Sequence, residues 1–91
     1  MRSEKDHNAV TSDQVRAARA LLDWSQPQLA EAAKLSLPTI RRMEGPLGPS
    51  RSTAANVEAI RNAFAQAGVI FIKDGEASTG GLGVRLAASR S

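Results

Sequence analysis

The stretch "WSQPQLAEAAKLSLPTIRRMEG", residues 24–45, contains two short helical patterns separated by about three residues. Ser25 and Ser36 each precede one pattern, and a serine in that position caps the first turn of a helix through its hydroxyl. Pro27 and Pro38 fall in the first turns, where a missing N–H costs little. Two helices this short cannot bury their apolar faces alone, so the pattern predicts a helix-turn-helix packed against the rest of the chain.

The segments on either side of this stretch predict two longer helices. Thr11 and Gln14 have the spacing of a capping box, and apolar residues at helical spacing extend that first helix to about Asp23. The last helix is predicted from about residue 53 to residue 67, with Gly68 as its stop. The chain therefore has about four helices.

The tail changes from helical to strand-like patterning. "VIFI" (69–72) and "VRLA" (84–87) predict a short β-hairpin, and the glycine-rich segment between them predicts a flexible loop. A two-stranded hairpin is marginal alone, so it must pack on the helices or pair with another chain. We expect a flexible arm over 1–10, a helix-turn-helix domain over 11–68 and a hairpin tail over 69–91, giving a mainly α fold.

Composition limits the functions that this chain could have. Ninety-one residues, 42% of them hydrophobic, suit one small globular domain. The net charge of +3 admits nucleic acid as a partner. Cysteine is absent and His7 is the one histidine, so we expect no catalytic site, metal site or cofactor. No apolar run approaches the ~18 residues of a membrane span, and no signal peptide is evident, so we expect a cytoplasmic protein without a membrane partner.

The two motif helices match the positions of a known DNA-binding family. Counted from Gln26, the fifth position, where the helices cross, is the small Ala30, and the fifteenth is the branched Ile40. Together with "WSQPQLAEAA" and "S-x-x-T-I-x-x-x-E", residues 16–45 resemble the lambda-repressor-like, or XRE-type, regulators of bacteria and phages. The resemblance implies that the second motif helix enters the major groove of operator DNA while the first crosses the backbone.

Two features depart from the family pattern. The ninth position of the motif is usually glycine in a left-handed conformation, and here it is Lys34. The recognition helix often begins with glutamines that suit adenine, whereas this one begins with Leu37, Pro38 and Thr39. These residues cannot make a bidentate amide contact, so base recognition should differ from that of relatives.

The resemblance and the helical spacing together predict the DNA-facing residues. On a helical wheel, Ile40 and Glu44 define the buried side of the second motif helix, and Arg42 lies opposite their midpoint. We expect Arg42 to contact a guanine, Arg41 to contact phosphate, and Leu37 to touch a thymine methyl. The full predicted set is Ser25, Gln26, Ser36, Leu37, Pro38, Thr39, Arg41, Arg42 and Arg51.

A structural ion pair is predicted between Arg19 and Glu44. Arg19 borders the apolar stripe of the first helix, and Glu44 falls on the core side of the second motif helix. A charge in such a place needs a partner, and the resemblance implies that a first-helix arginine supplies it.

Two classes of function remain open. The first is a DNA-binding transcriptional regulator, a repressor by family precedent, that forms a homodimer through the hairpin because "VIFI" is apolar on both faces. The second is a helix-turn-helix module that binds a protein partner, such as an antitoxin or antiactivator. An enzyme is disfavoured because the chain lacks a plausible set of catalytic residues.

Overall fold

The computed structural model describes residues 10–49, 52–72 and 81–87. The described part is mainly helical and ends in a two-stranded antiparallel hairpin, so the predicted fold class is confirmed. The elements in chain order are α1 (Ser12–Leu22), α2 (Gln26–Ala33), α3 (Leu37–Met43), α4 (Ala54–Gln66), β1 (Val69–Ile72) and β2 (Gly83–Leu86).

Each helix of the described residues begins at a hydroxyl cap, and the sequence predicts this for α1, α2 and α3. The cap side chain in each case accepts a hydrogen bond from the backbone N–H three residues later, which satisfies one of the free donors of the first turn. In α1 and α2 a glutamine completes a capping box. The four caps are Thr11, Ser25, Ser36 and Thr53.

Helices α1 and α2 both end in a left-handed residue that is not glycine. Asp23 has φ 58° and ψ 39°, and Lys34 has φ 59° and ψ 41°. The N–H of Leu35 then reaches back to the carbonyl of Ala30 at 2.9 Å, which closes the end of α2. The motif turn therefore keeps the geometry that glycine usually provides, at a cost of roughly 1–2 kcal/mol for the lysine.

Phe64 lies at the centre of the core and joins the helices to the hairpin. Its ring stacks on half-buried Trp24, with centroids 5.8 Å apart, and meets the edge of Phe71 at 5.7 Å. The guanidinium of Arg61 covers Phe71 at 5.7 Å from its centroid. The buried apolar residues are Val10, Val15, Ala18, Leu29, Ala30, Ala33, Ile40, Met43, Ile60, Ala63, Phe64 and Val69.

Val10 corrects the predicted boundary of the arm. Its position predicts a place in the flexible arm, yet Val10 is 4% exposed and belongs to the core. A single apolar residue without periodic neighbours gives no helical or strand pattern, so its burial was not predictable. The rest of the predicted arm, including His7, lies outside the described residues.

The hairpin pairs Val69 with Leu86 and Ile72 with Gly83. The second strand begins one residue earlier than predicted because Gly83 pairs with the last residue of β1. Val69 is buried while Ile70 is 40% exposed, so one face of β1 packs on the helices and the other meets solvent. Most of the predicted connecting loop, residues 73–80, is outside the described residues.

Gln14 connects the start of α1 to the loop end of the hairpin, where Ile72 pairs with Gly83. Its Oε1 accepts from the N–H of Thr11 at 3.0 Å, as a capping-box residue should. Its Nε2 donates to the carbonyls of Ile72 at 3.2 Å and Gly83 at 3.0 Å. The side chain is almost fully buried, so these hydrogen bonds satisfy an amide that would otherwise be costly to bury.

We expect Gln14→Glu to destabilise the fold because a carboxylate keeps the capping oxygen but faces two carbonyls without a proton to donate. The expected loss is about 2–3 kcal/mol of unfolding free energy. The matched control is Gln28→Glu, which occupies the same capping-box position in α2 on an exposed surface and should change stability by less than about 0.5 kcal/mol. Urea denaturation at neutral pH measures both, and equal effects would contradict the bridging role of Gln14.

Candidate nucleic-acid interface

The two motif helices pack through the positions that the sequence analysis singled out. Ala30 is 7% exposed, and Ile40 is 1% exposed. Leu29 and Met43 are buried beside them in the same core cluster. The buried side of α3, which carries Ile40 and Met43, therefore belongs to the same core cluster as Leu29 and Ala30 of α2.

The predicted ion pair between Arg19 and Glu44 is present and is bidentate. Arg19 Nε lies 2.7 Å from Glu44 Oε2, and Nη2 lies 2.9 Å from Oε1. Nη1 of the same guanidinium donates to the carbonyl of Trp24 at 2.9 Å. The Glu44 side chain is only 3% exposed, whereas that of Arg19 is 20% exposed. The pair joins α1 to the end of α3.

The pKa of Arg19 is raised above its usual value. The main cause is the hydrogen bond to Glu44, and the negative charge of Glu44 adds to it, while burial acts in the opposite direction. The guanidinium therefore stays charged, and Glu44 has a permanent cationic partner.

Arg16 also bonds to Glu44, a contact that was not predicted from the sequence. Its Nη1 donates to the backbone carbonyl of Glu44, and its Nη2 pairs with Asp13 within α1. Arg16 lies three residues before Arg19, which places the two on neighbouring positions of one helix face. That spacing could have indicated that Arg16, like Arg19, faces the end of α3. The carbonyl at the end of α3 is thus satisfied by a side chain from α1.

Gln26 is half-buried, and its Nε2 donates to Glu44 Oε1 at 3.1 Å, a contact that was not predicted from the sequence. Its contact with DNA phosphate stays a prediction. One amide proton is therefore used inside the protein, so only the second could reach a phosphate. The hydroxyl of Ser25 accepts from the N–H of Gln28 at 3.2 Å and keeps its own proton for another acceptor.

The hydroxyls at the start of α3 are bonded to each other. Ser36 Oγ accepts from the N–H of Thr39 at 3.2 Å and lies 2.8 Å from the Thr39 hydroxyl. One of the two hydroxyl protons is used in this contact. Thr39 is half-buried, and the first turn of α3 offers few free polar groups.

The exposed side of α3 carries positive charge and apolar carbon. Pro38, Arg41 and Arg42 are exposed, while Leu37 is half-buried. Within the described part of the chain, neither Arg41 nor Arg42 forms a side-chain hydrogen bond or an ion pair. Glu44 is the one acidic residue between positions 34 and 57, and its charge is directed into the protein. Arg51 lies outside the described residues.

Comparisons of the chain with protein-family models, curated proteins and solved structures find no match. Among the described residues, no group of three or more histidine, aspartate and glutamate side chains is arranged to hold a metal ion. None of the helices in the described ranges is long and apolar enough to cross a membrane.

Arg19→Lys should lower the unfolding free energy by about 1.5–3 kcal/mol although it preserves the charge. A single ammonium cannot replace three directed guanidinium hydrogen bonds, two of them to a buried carboxylate. The control is Arg16→Lys, on the same helix face but with a side chain that is 46% exposed, for which we expect a change within about 0.5 kcal/mol. Chemical denaturation compares the two variants, and a tolerated Arg19→Lys would show that the bidentate geometry is unimportant.

Proposed function

We propose that this chain is a sequence-specific regulator that binds double-stranded operator DNA by placing α3 in the major groove. In this proposal it acts as a repressor by occupying the operator, in the cytoplasm where bacterial DNA lies, with no catalytic step of its own. The observation that carries the proposal is the two-sided character of α3: one side is fixed in the core by Ile40, Met43 and Glu44, and the other exposes two arginines.

The orientation of α3 favours different roles for its two arginines. On a helical wheel with Leu37 at zero and about 100° per residue, the mean direction of the buried residues Ile40, Met43 and Glu44 lies near 295°. The opposite, outward direction therefore lies near 115°. Arg42 is then about 25° from the outward direction, whereas Arg41 is about 75° away, at the edge of the exposed face. A helix lying in the major groove directs its outward side at base edges and its edges at phosphates.

A salt titration of binding to a duplex library tests the proposal. Phosphate contacts release counterions, so affinity should fall steeply and linearly on logarithmic axes as salt rises. The second candidate, a protein-binding module such as an antitoxin or antiactivator, draws support from the exposed apolar side chains of the hairpin. Weak DNA binding that does not respond to salt would contradict the proposed role as a DNA-binding regulator and would favour the protein-binding module.

Arg42→Ala should relax the preference at one base pair of each half-site. A bidentate arginine–guanine contact is worth ~1–3 kcal/mol of discrimination, so selectivity should drop by about that amount. Arg41→Ala, one position away and also exposed, serves as the matched comparison: it should weaken all sequences alike and reduce the salt slope by about one phosphate.

The measurement for both variants is affinity for a selected duplex, for single-base substitutions of it and for random DNA. An Arg42→Ala protein that loses the same affinity for all three would make Arg42 a backbone contact and contradict its role in base recognition.

We further propose that two copies associate through the hairpin. Ile70 is 40% exposed and Leu82 is 50% exposed, and a two-stranded sheet leaves backbone groups unpaired at its outer edges. A second copy related by a two-fold axis would cover these groups. It could also set two α3 helices ~34 Å apart, the spacing of successive half-sites.

Ile70→Glu should convert the dimer to a monomer because it places a charge in the apolar contact. The substitution leaves the core contacts of Phe71 in place, which a truncation of the tail would remove. Leu47→Glu is the control, since Leu47 is 62% exposed in the loop after α3 and should leave the mass unchanged. Light scattering gives the mass of each protein. A native chain that is monomeric at concentrations where it binds its operator would contradict the hairpin dimer.

A further inference from the structure

Pro38 shares the outward face of α3 with Arg42. On the same helical wheel, Pro38 lies about 15° from the outward direction, whereas Thr39 lies about 85° and Leu37 about 115° away. The burial agrees with this placement, because Pro38 is exposed while Leu37 and Thr39 are half-buried. The residue best placed to meet the bases beside Arg42 is therefore the proline.

The chemistry of Pro38 limits what it could contact. Proline has no backbone N–H and no polar side-chain atom, so it neither donates to a base nor accepts from one through its side chain. The neighbouring hydroxyls of Ser36 and Thr39 are already bonded to each other. The apolar feature that a base edge presents in the major groove is the 5-methyl group of thymine. An exposed pyrrolidine ring matches that methyl group.

The distance between Pro38 and Arg42 along α3 indicates how far apart the two bases that they contact would lie. Pro38 and Arg42 are four residues apart, which is about 6 Å along the helix axis. That is close to two base-pair rises of ~3.4 Å each. The two side chains can therefore address bases about two steps apart within one half-site.

We propose that Pro38 is a specificity-determining residue that contacts the 5-methyl group of a thymine about two base pairs from the guanine bound by Arg42. The inference rests on the proposed function and extends it from the docking mode to the bases recognised. It also reassigns the thymine contact that the sequence analysis gave to Leu37.

The test begins with a duplex enriched from a random library by the native full-length chain. Each thymine of that duplex is replaced in turn by deoxyuridine, which removes only the 5-methyl group. For the native protein we expect one thymine per half-site at which replacement weakens binding about fourfold, the equivalent of burying one methyl group. At that position Pro38→Ala should bind the thymine and uracil duplexes equally.

Pro27→Ala is the matched control because Pro27 is the second residue of α2, as Pro38 is of α3, and is also exposed. It should keep the full thymine preference, and so should Leu37→Ala. The inference is overturned if the native protein tolerates uracil at every position, or if Leu37→Ala abolishes the preference and Pro38→Ala does not. Failure to enrich any duplex would instead overturn the proposed function, and this inference with it.

Discussion

The buried carboxylate of Glu44 determines how the second motif helix is held. Helix α3 has only seven residues, too few to be stable in isolation, and Glu44 places a negative charge at its C-terminal end, where the helix dipole is unfavourable to it. Arg19 from α1 and Gln26 from α2 both bond to that carboxylate. Three helices therefore meet at one side chain, and the direction of the exposed face of α3 depends on it.

The net stability that a buried ion pair adds depends on its geometry and on its further hydrogen bonds. Removing two charges from water is costly, and their attraction repays that cost only when geometry and further hydrogen bonds are good. Here both oxygens of Glu44 are used, and Arg16 satisfies its carbonyl as well. In the proposed interface, the side-chain amides and hydroxyls serve largely as caps and bridges within the protein, so recognition of DNA would rest on arginine and apolar carbon.

Local signals explain what the sequence predicted, and long-range contacts explain what it missed. The caps of α1, α2 and α3 and the helix bounds follow from spacing within short stretches of sequence, because neighbouring residues produce them. The pairing of Arg19 with Glu44 joins residues 25 positions apart, and it was predicted from the core-side position of each residue together with the family resemblance. The hydrogen bonds of Gln14 to the hairpin and the burial of Val10 depend on contacts that are distant in the sequence. The inward turn of Gln26 depends on a partner eighteen positions away. None of these three contacts produces a periodic pattern in the sequence from which it could be predicted.

A double-mutant cycle between Arg19 and Glu44 measures how strongly this ion pair holds α3. The cycle compares the unfolding free energies of the native chain, Arg19→Ala, Glu44→Ala and the double variant, so effects outside the pair cancel. We expect a coupling energy of about 2–3 kcal/mol, in the upper part of the range for residues in contact. A coupling energy within about 0.5 kcal/mol of zero would contradict it, because α3 would then be held without the pair.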